Sequence, residues 1–310
     1  MKSLRLQDIL LLNPPVKRHE KEILLAFILG VSREHIVAHP EEILPQQYFQ
    51  RIKTLFSKRQ SGIPLAYLTK IKEFFNLNFF VNKDVLIPRP ETELLVEESL
   101  KILKKKKFET NILIDIGTGS GCIPIAILHH ISPSLRPKTF ALDISEKSLI
   151  VAKKNARIHS FSNSIIFKKS NLLEDFLEKI PSLEKNSLLI LTANLPYIPD
   201  HFYNKASSHK ESIGILFEPK EALISGKDGL KHYRRLFRQL SKNREKLPDQ
   251  IILLCEFFGD TTQKDFFESQ TQTYFPKSTI SIQNDLSSRP RMATIKIQNT
   301  RKIPLDALRS

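Results

Sequence analysis

Cysteine is almost missing. Cys122 and Cys255 are the only two in 310 residues, far apart and each inside an apolar segment. That excludes a disulfide framework and a cysteine metal centre, and points to a reduced, cytoplasmic setting. Long hydrophobic runs are missing too. None approaches the roughly 18–20 apolar residues that a membrane span needs, so no membrane partner is expected. The stretch MKSLRLQDILLLNPPVKRHEKE has an apolar patch too short for a secretory leader, and charge follows at once. Clustered metal ligands are absent. His35 and His39 sit four apart, but no further ligand is near them in sequence. They read as solvated or capping residues, and no metal is expected. One imbalance remains, 48 Lys and Arg against 33 Asp and Glu, a net charge of +15. No basic stripe interleaved with aromatics accompanies it. It reads as lysines spread over solvated faces, and no stable nucleic-acid complex is expected from it.

Hydrophobic residues make up 41% of the chain, enough to build a core, and the length suits two domains. Residues 1–72 read as a helical bundle. VKRHEKEILLAFILG is an amphipathic stretch closed by Gly30, and Ser32 is placed to cap the next helix. Residues 73–90 read as a linking β-hairpin, with turn signals at Asn76 and at Asn82–Asp84. Pro88 and Pro90 then set the backbone ahead of an amphipathic helix. Glu91 and Glu93 suit the electropositive first turn of that helix. From 91 to 299 strands alternate with crossover helices. The expectation is an α/β fold with a doubly wound, seven-stranded, mostly parallel sheet, its last two strands an antiparallel hairpin on one edge. Residues 300–310 read as a loose tail.

Three places carry chemistry. DIGTGSG (115–121) joins a strand to a helix through glycines, which let backbone approach a ligand closely. No Gly-Lys-Ser/Thr follows, so it is not a P-loop. Asp143 ends the next strand, where a carboxylate can accept both hydroxyls of a ribose. Ser145 serves equally well as cap for the following helix, leaving Asp143 free. The third place is TANLPYIP. An apolar strand, expected beside the glycine-loop strand, ends on Asn194, Leu195, Pro196 and Tyr197. Asn194 and the backbone carbonyls after it offer acceptors for an –NH2 group, Pro196 fixes the turn, and Tyr197 offers a flat wall. With an electrophile that is already activated, such as a sulfonium methyl, orientation and desolvation would suffice.

The glycine loop, Asp143 and Asn-x-Pro-Tyr together resemble the class I, Rossmann-like, S-adenosylmethionine-dependent methyltransferases acting on an amide or exocyclic amine. LIPRPETELLVE (86–97), FEPKEALISGKDGLKHYRRL (217–236) and DLSSRPRMATI (285–295) are similar to segments of the HemK-type release factor glutamine N5-methyltransferases. The resemblance implies methyl transfer from S-adenosyl-L-methionine, leaving S-adenosyl-L-homocysteine. The acceptor would be the glutamine of the Gly-Gly-Gln motif in class-1 peptide-chain release factors, modified by a monomeric enzyme. It implies that Gly117, Thr118, Gly119, Ser120, Gly121, Asp143, Leu172 and Asn194 bind the cofactor. Asn194 and Tyr197 would be catalytic, and Asn194, Leu195, Pro196, Tyr197 and Arg89 would hold the substrate. Arg89, Thr92 and Glu93 would shape the mouth, and the helical domain would dock the release factor. Leu195 departs from the usual proline. Asn-Leu-Pro-Tyr also resembles the ribosomal RNA adenine dimethyltransferases, so the alternative is an adenine N6 or other exocyclic-amine methyltransferase acting on rRNA or DNA. Asn171, Ser288 and the spacing of CEFFGD depart from the family pattern as well.

Overall fold

Apolar positions at helical spacing bring the first elements together. In the computed structural model, residues 5–11, 16–105, 110–179, 183–206, 210–285 and 287–298 are described. The expected tail at 300–310 lies outside them. Helices α1 (Leu6–Leu11), α2 (Arg18–Leu29), α3 (Arg33–Ala38), α4 (Phe49–Gln60) and α5 (Leu65–Thr69) form the N-terminal bundle. Leu6, Ile9, Leu24, Leu25, Ile28, Ile36, Ile52 and Phe56 are its core. Gly30 ends α2 in the left-handed region, its N–H donating to Ala26 O, and Ser32 Oγ accepts from His35 N to start α3.

Strands β1 (Ile71–Phe74) and β2 (Leu77–Phe80) pair antiparallel about a two-residue turn. Phe75 and Asn76 both have positive φ, as a tight hairpin of this hand requires. The pairing begins at Ile71, so the expected start at 73 falls inside β1. Ile71 and Glu73 are exposed, and the alternation becomes readable only at the aromatic residues. The turn signal at Asn82–Asp84 is an Asx turn, Asn82 Oδ1 accepting from Asp84 N after β2 has ended. The hairpin is firmly held. Phe74 and Phe79 enter the core beneath the sheet. Glu93 Oε1 accepts from Phe75 N at 2.9 Å. Asn155, fully buried, accepts from Phe80 N and donates to the carbonyls of Phe80 and Ser120.

After α6 (Glu93–Leu103) the chain runs β3 (Asn111–Ile116), α7 (Cys122–His130), β4 (Lys138–Asp143), α8 (Glu146–Ile158), β5 (Ile165–Lys169), α9 (Glu174–Lys179) and β6 (Leu188–Ala193). Then follow α10 (Asp200–Ala206), α11 (Lys231–Lys242), β7 (Gln250–Glu256), α12 (Thr261–Tyr274), β8 (Thr279–Asn284) and β9 (Pro290–Gln298). The sheet has seven strands in the order β5-β4-β3-β6-β7-β9-β8. The first five run parallel, and β9 and β8 are antiparallel on one edge. Parallel strands need crossovers that cover both faces, and every residue of β6 is buried accordingly. The strand order reverses between β3 and β6. A crevice opens there at the carboxyl ends, the place where open α/β sheets take their ligands. Among the described residues, no helix is long and apolar enough to cross a membrane.

Candidate active site

The loop leaving β3 is built from backbone. Gly117, Gly119 and Gly121 all have positive φ. The N–H groups of Gly117 and Thr118 both donate to Leu142 O, tying the loop to β4. A Cβ on Gly121 would lie 3.2 Å from that of Ala152, so this glycine sets how closely α7 and α8 pack. Gly119 N donates to Asp143 Oδ2 at 2.9 Å, and Ser145 N donates to Asp143 Oδ1 at 2.8 Å. Ser145 does cap α8 through Ser148 N. Yet Asp143 is not left free, because each of its oxygens already takes one backbone hydrogen. Each oxygen keeps a second lone pair for a hydroxyl. Burial pushes the Asp143 carboxyl up, and the Ser145 and Gly119 N–H groups oppose the shift. Beneath the loop lies Asp115, fully buried and raised to about 6 by burial, with the Thr192 hydroxyl donating to its Oδ1.

The loop leaving β6 is built from side chains. Asn194 Nδ2 donates to Thr92 Oγ1 at 2.9 Å. Leu195 N donates to Tyr233 Oη at 3.3 Å. The Tyr233 hydroxyl hydrogen is shared between the carbonyls of Ala193 and Glu256, the last residues of β6 and β7. Tyr197 Oη donates to Glu256 Oε1 at 2.8 Å, and Tyr197 O accepts from Gln263 Nε2 at 2.9 Å. Burial raises the Tyr197 hydroxyl well above its ordinary value, and the Glu256 carboxylate adds to it. Gly229 passes so close that a Cβ there would sit 2.1 Å from Tyr197 O.

The two loops meet. A Cβ on Gly117 would lie 3.1 Å from Leu195 Cδ2. Between them is a cavity of about 320 Å³, lined by Gly117, Gly119, Asp143, Leu172, Asn194 and Pro196 among others. Thr118, Ser120 and Leu195 also line it, as does Thr92 from the mouth segment. Leu172 reaches its wall with φ +56, a conformation unusual for a branched residue. Cys122 lines the cavity as well, its thiol pushed up to about 12 by burial. Of the expected cofactor residues, Gly121 sits behind the wall and shapes it through packing. Two expected substrate residues stand apart from the lining. The Tyr197 hydroxyl is turned to Glu256. Arg89 pairs with the buried Glu218 at 2.5 Å, while Glu218 Oε2 accepts from Ile87 N. That pair joins the mouth segment to the stretch after α10. Sequence reasoning assigned no role to Asp115, Glu218, Gly229, Tyr233, Glu256 or Gln263. Several lie in FEPKEALISGKDGLKHYRRL, whose likeness to a family segment was the available signal.

The cavity suits an adenosyl cofactor by its donor set. One carboxylate stands at the end of the second strand, backbone comes close without side chains, and Leu172 gives an apolar edge. Gly119 has only Gly117 O within 4.0 Å of a would-be Cβ, so the loop leaves open space on the cavity side. A family model for the PrmC N-terminal domain matches residues 12–69, and one for ribosomal protein L11 methyltransferase (PrmA) matches residues 94–196. The release factor glutamine methyltransferase of Coxiella burnetii is 32% identical over 277 residues, covering 89% of this chain and 90% of the relative. That of Bacillus cereus is 29% identical over 281 residues, covering 89% and 92%. The hMettl16 catalytic domain, solved in complex with a MAT2A 3′UTR hairpin, has a TM-score of 0.54 at 14% identity, covering 77% of this chain and 82% of that one. At that identity the likeness shows the fold alone.

Proposed function

The chain belongs to the release factor glutamine methyltransferase family, and from that membership we propose that it methylates the side-chain amide N5 of the Gly-Gly-Gln glutamine in class-1 release factors. S-adenosylmethionine, when bound, supplies a methyl on a sulfonium, and S-adenosylhomocysteine remains once the methyl is on nitrogen and the amide has released a proton. Gly117, Thr118, Gly119 and Ser120 hold its amino-acid and ribose part, Asp143 takes the ribose hydroxyls, and Leu172 borders the adenine. The observation that carries the reading is the orientation of Asn194. Its NH2 is committed to Thr92, so its Oδ1 is the corner left to accept a substrate N–H. A backbone carbonyl of Leu195 or Pro196 takes the second amide hydrogen. The amide nitrogen then presents its lone pair, and no strong base is needed. Tyr197, anchored on Glu256, walls the glutamine. Arg89, paired with Glu218, braces the mouth. Residues 1–72 dock the release factor, and the reaction runs in the cytoplasm.

The test is transfer of a labelled methyl to purified release factor, to its Gln→Ala variant, to rRNA and to DNA. Label is expected only in the release factor carrying the glutamine. Label in RNA or DNA with none in the release factor overturns the reading in favour of an exocyclic-amine methyltransferase. Asn194→Ala is expected to lower transfer at least about a thousandfold. S-adenosylhomocysteine binding should stay within a few-fold. Equal loss of both would remove Asn194 from the substrate side.

A further inference from the structure

Residues 84–88 follow the hairpin and belong to no helix or strand, so side chains must hold them. Asp84, Val85, Leu86 and Pro88 form one wall of the cavity. Side chains from other elements tie that wall down. Ser148 Oγ, on α8, donates to Asp84 O at 3.0 Å. Tyr67 Oη, on α5, donates to Val85 O at 2.6 Å. A further tie is charged. Glu218 spends one carboxylate oxygen on Ile87 N, at 3.0 Å, and the other on the Arg89 guanidinium, at 2.5 Å. These two partners flank Pro88. Directly after the glutamate, Pro219 lines the same cavity with Glu221 and Ala222. The turn that carries them is seated on the β6 loop, with Ile198 N donating to Leu223 O at 2.9 Å and Ser225 N to Ile198 O at 3.1 Å. Phe217 packs on the cluster of Tyr67, Val85 and Ile87 beside the pair.

We infer that Arg89 and Glu218 form a clasp that closes one rim of the cofactor cavity and sets how long the adenosyl group stays. The Glu218 side chain is 3% exposed, and a buried carboxylate without its cation is costly, so the closed pair is favoured. The Arg89 side chain is 34% exposed. Water reaches the guanidinium, so it can leave the glutamate for solvent while the core stays packed. Opening frees the Ile87–Arg89 end of the wall, while Ser148 and Tyr67 keep the Asp84–Val85 end. Arg89 and Glu218 are positioning residues that act through the wall. The clasp rests on the reading of the cavity as an adenosyl-cofactor site.

Two measurements test it. The first needs no ligand. Exchange of the Ile87 amide hydrogen, followed by NMR in the free enzyme, should be at least about tenfold faster in Arg89→Met and in Glu218→Gln than in wild type. Exchange at the wild-type rate in both overturns the clasp. The second is dissociation of S-adenosylhomocysteine, followed by stopped-flow displacement. It should be about 10- to 100-fold faster in either variant, with the release-factor KM within about threefold. The double variant should be no faster than the faster single one, because either change already opens the clasp. Glu218→Gln keeps the side-chain shape and an acceptor for Ile87 N, so it carries the test if Arg89→Met leaves too little folded protein. Dissociation at the wild-type rate in both variants, or effects that multiply in the double variant, overturns the clasp. So does an Arg89→Met that raises only the release-factor KM, which would make Arg89 a substrate residue. Wild-type enzyme that binds no S-adenosylhomocysteine removes the cofactor reading itself, and the clasp with it.

Discussion

Two strand ends stand side by side at the crevice and are built in opposite ways. The end of β3 is shaped by its own backbone, since three glycines with positive φ and hydrogen bonds to β4 leave open space for a ligand. The end of β6 is shaped by side chains arriving from elsewhere. Thr92 accepts from its asparagine NH2, Tyr233 holds its leucine N–H, and Gln263 holds its tyrosine carbonyl. The difference fits two tasks. On the proposed function, a constant cofactor would be held by local chain geometry, and a planar amide would be caught by acceptors on a loop that side chains from elsewhere brace.

Two alanine substitutions break the comparison from either side. Gly229→Ala has the largest expected effect. Its Cβ would fall 2.1 Å from Tyr197 O and 2.5 Å from Gln263 Nε2, at φ +76. Strain and overpacking together should cost about 3–5 kcal/mol of stability. In protein that still folds, methyl transfer should fall more steeply than S-adenosylhomocysteine affinity. Gly119→Ala, at φ +55 in open space, should cost only about 1–2 kcal/mol. It should weaken cofactor binding, read by calorimetry. If both variants lose transfer and binding in equal measure, the two ends do not act separately.

The carboxylate beneath the β3 loop gives a smaller effect, with a sign fixed by pH. Burial lifts Asp115 from an ordinary 3.8 to about 6. Between those values the folded chain keeps a proton that the unfolded chain has released. Stability from this group is therefore present at low pH, falls as pH rises, and is gone above about pH 6. Asp115→Asn removes the titration and can still accept from Thr192. Relative to wild type, it should gain about 2–3 kcal/mol between pH 4 and pH 7 in chemical denaturation. Parallel stability curves over that range would show that Asp115 does not feel its burial.

The same division explains what could be read from the chain alone. DIGTGSG and Asp143 lie within 29 residues of sequence, from 115 to 143, and their strand–loop–helix context is local. Periodicity gave the sheet, the helical bundle and the terminal hairpin for the same reason. Where a non-local partner decides the detail, the reading stops short. Ser145 caps α8 as its position suggests, yet Asp143 also takes the Gly119 and Ser145 hydrogens, a bond pattern that only the folded loop defines. Asn194 stood out as a polar residue ending a buried strand. The partner of its NH2, Thr92, is 102 residues earlier, and the resemblance placed it at the mouth without naming that bond. The hairpin began two residues sooner than its aromatic pattern, because exposed Ile71 carries no alternation signal.

Leu195 gives the smallest and sharpest test. By resemblance, proline would serve at this position, since on the proposed function only its carbonyl would meet the substrate in either case. The structure adds two contacts for leucine. Its N–H reaches Tyr233 Oη at 3.3 Å, and its side chain packs where the Gly117 backbone passes. Leu195→Pro removes one long hydrogen bond, worth about 1 kcal/mol at most. Tyr233 stays satisfied, because its hydroxyl still donates to Ala193 O and Glu256 O. Pro196 already restricts Leu195 to extended backbone. Transfer should stay within about threefold of wild type, with stability lower by about 1 kcal/mol in denaturation. Tyr233→Phe should cost more, since two carbonyls at the ends of β6 and β7 lose their donor. If Leu195→Pro proves the more damaging of the two, the leucine packing against the glycine loop, rather than the network behind it, sets the end of β6.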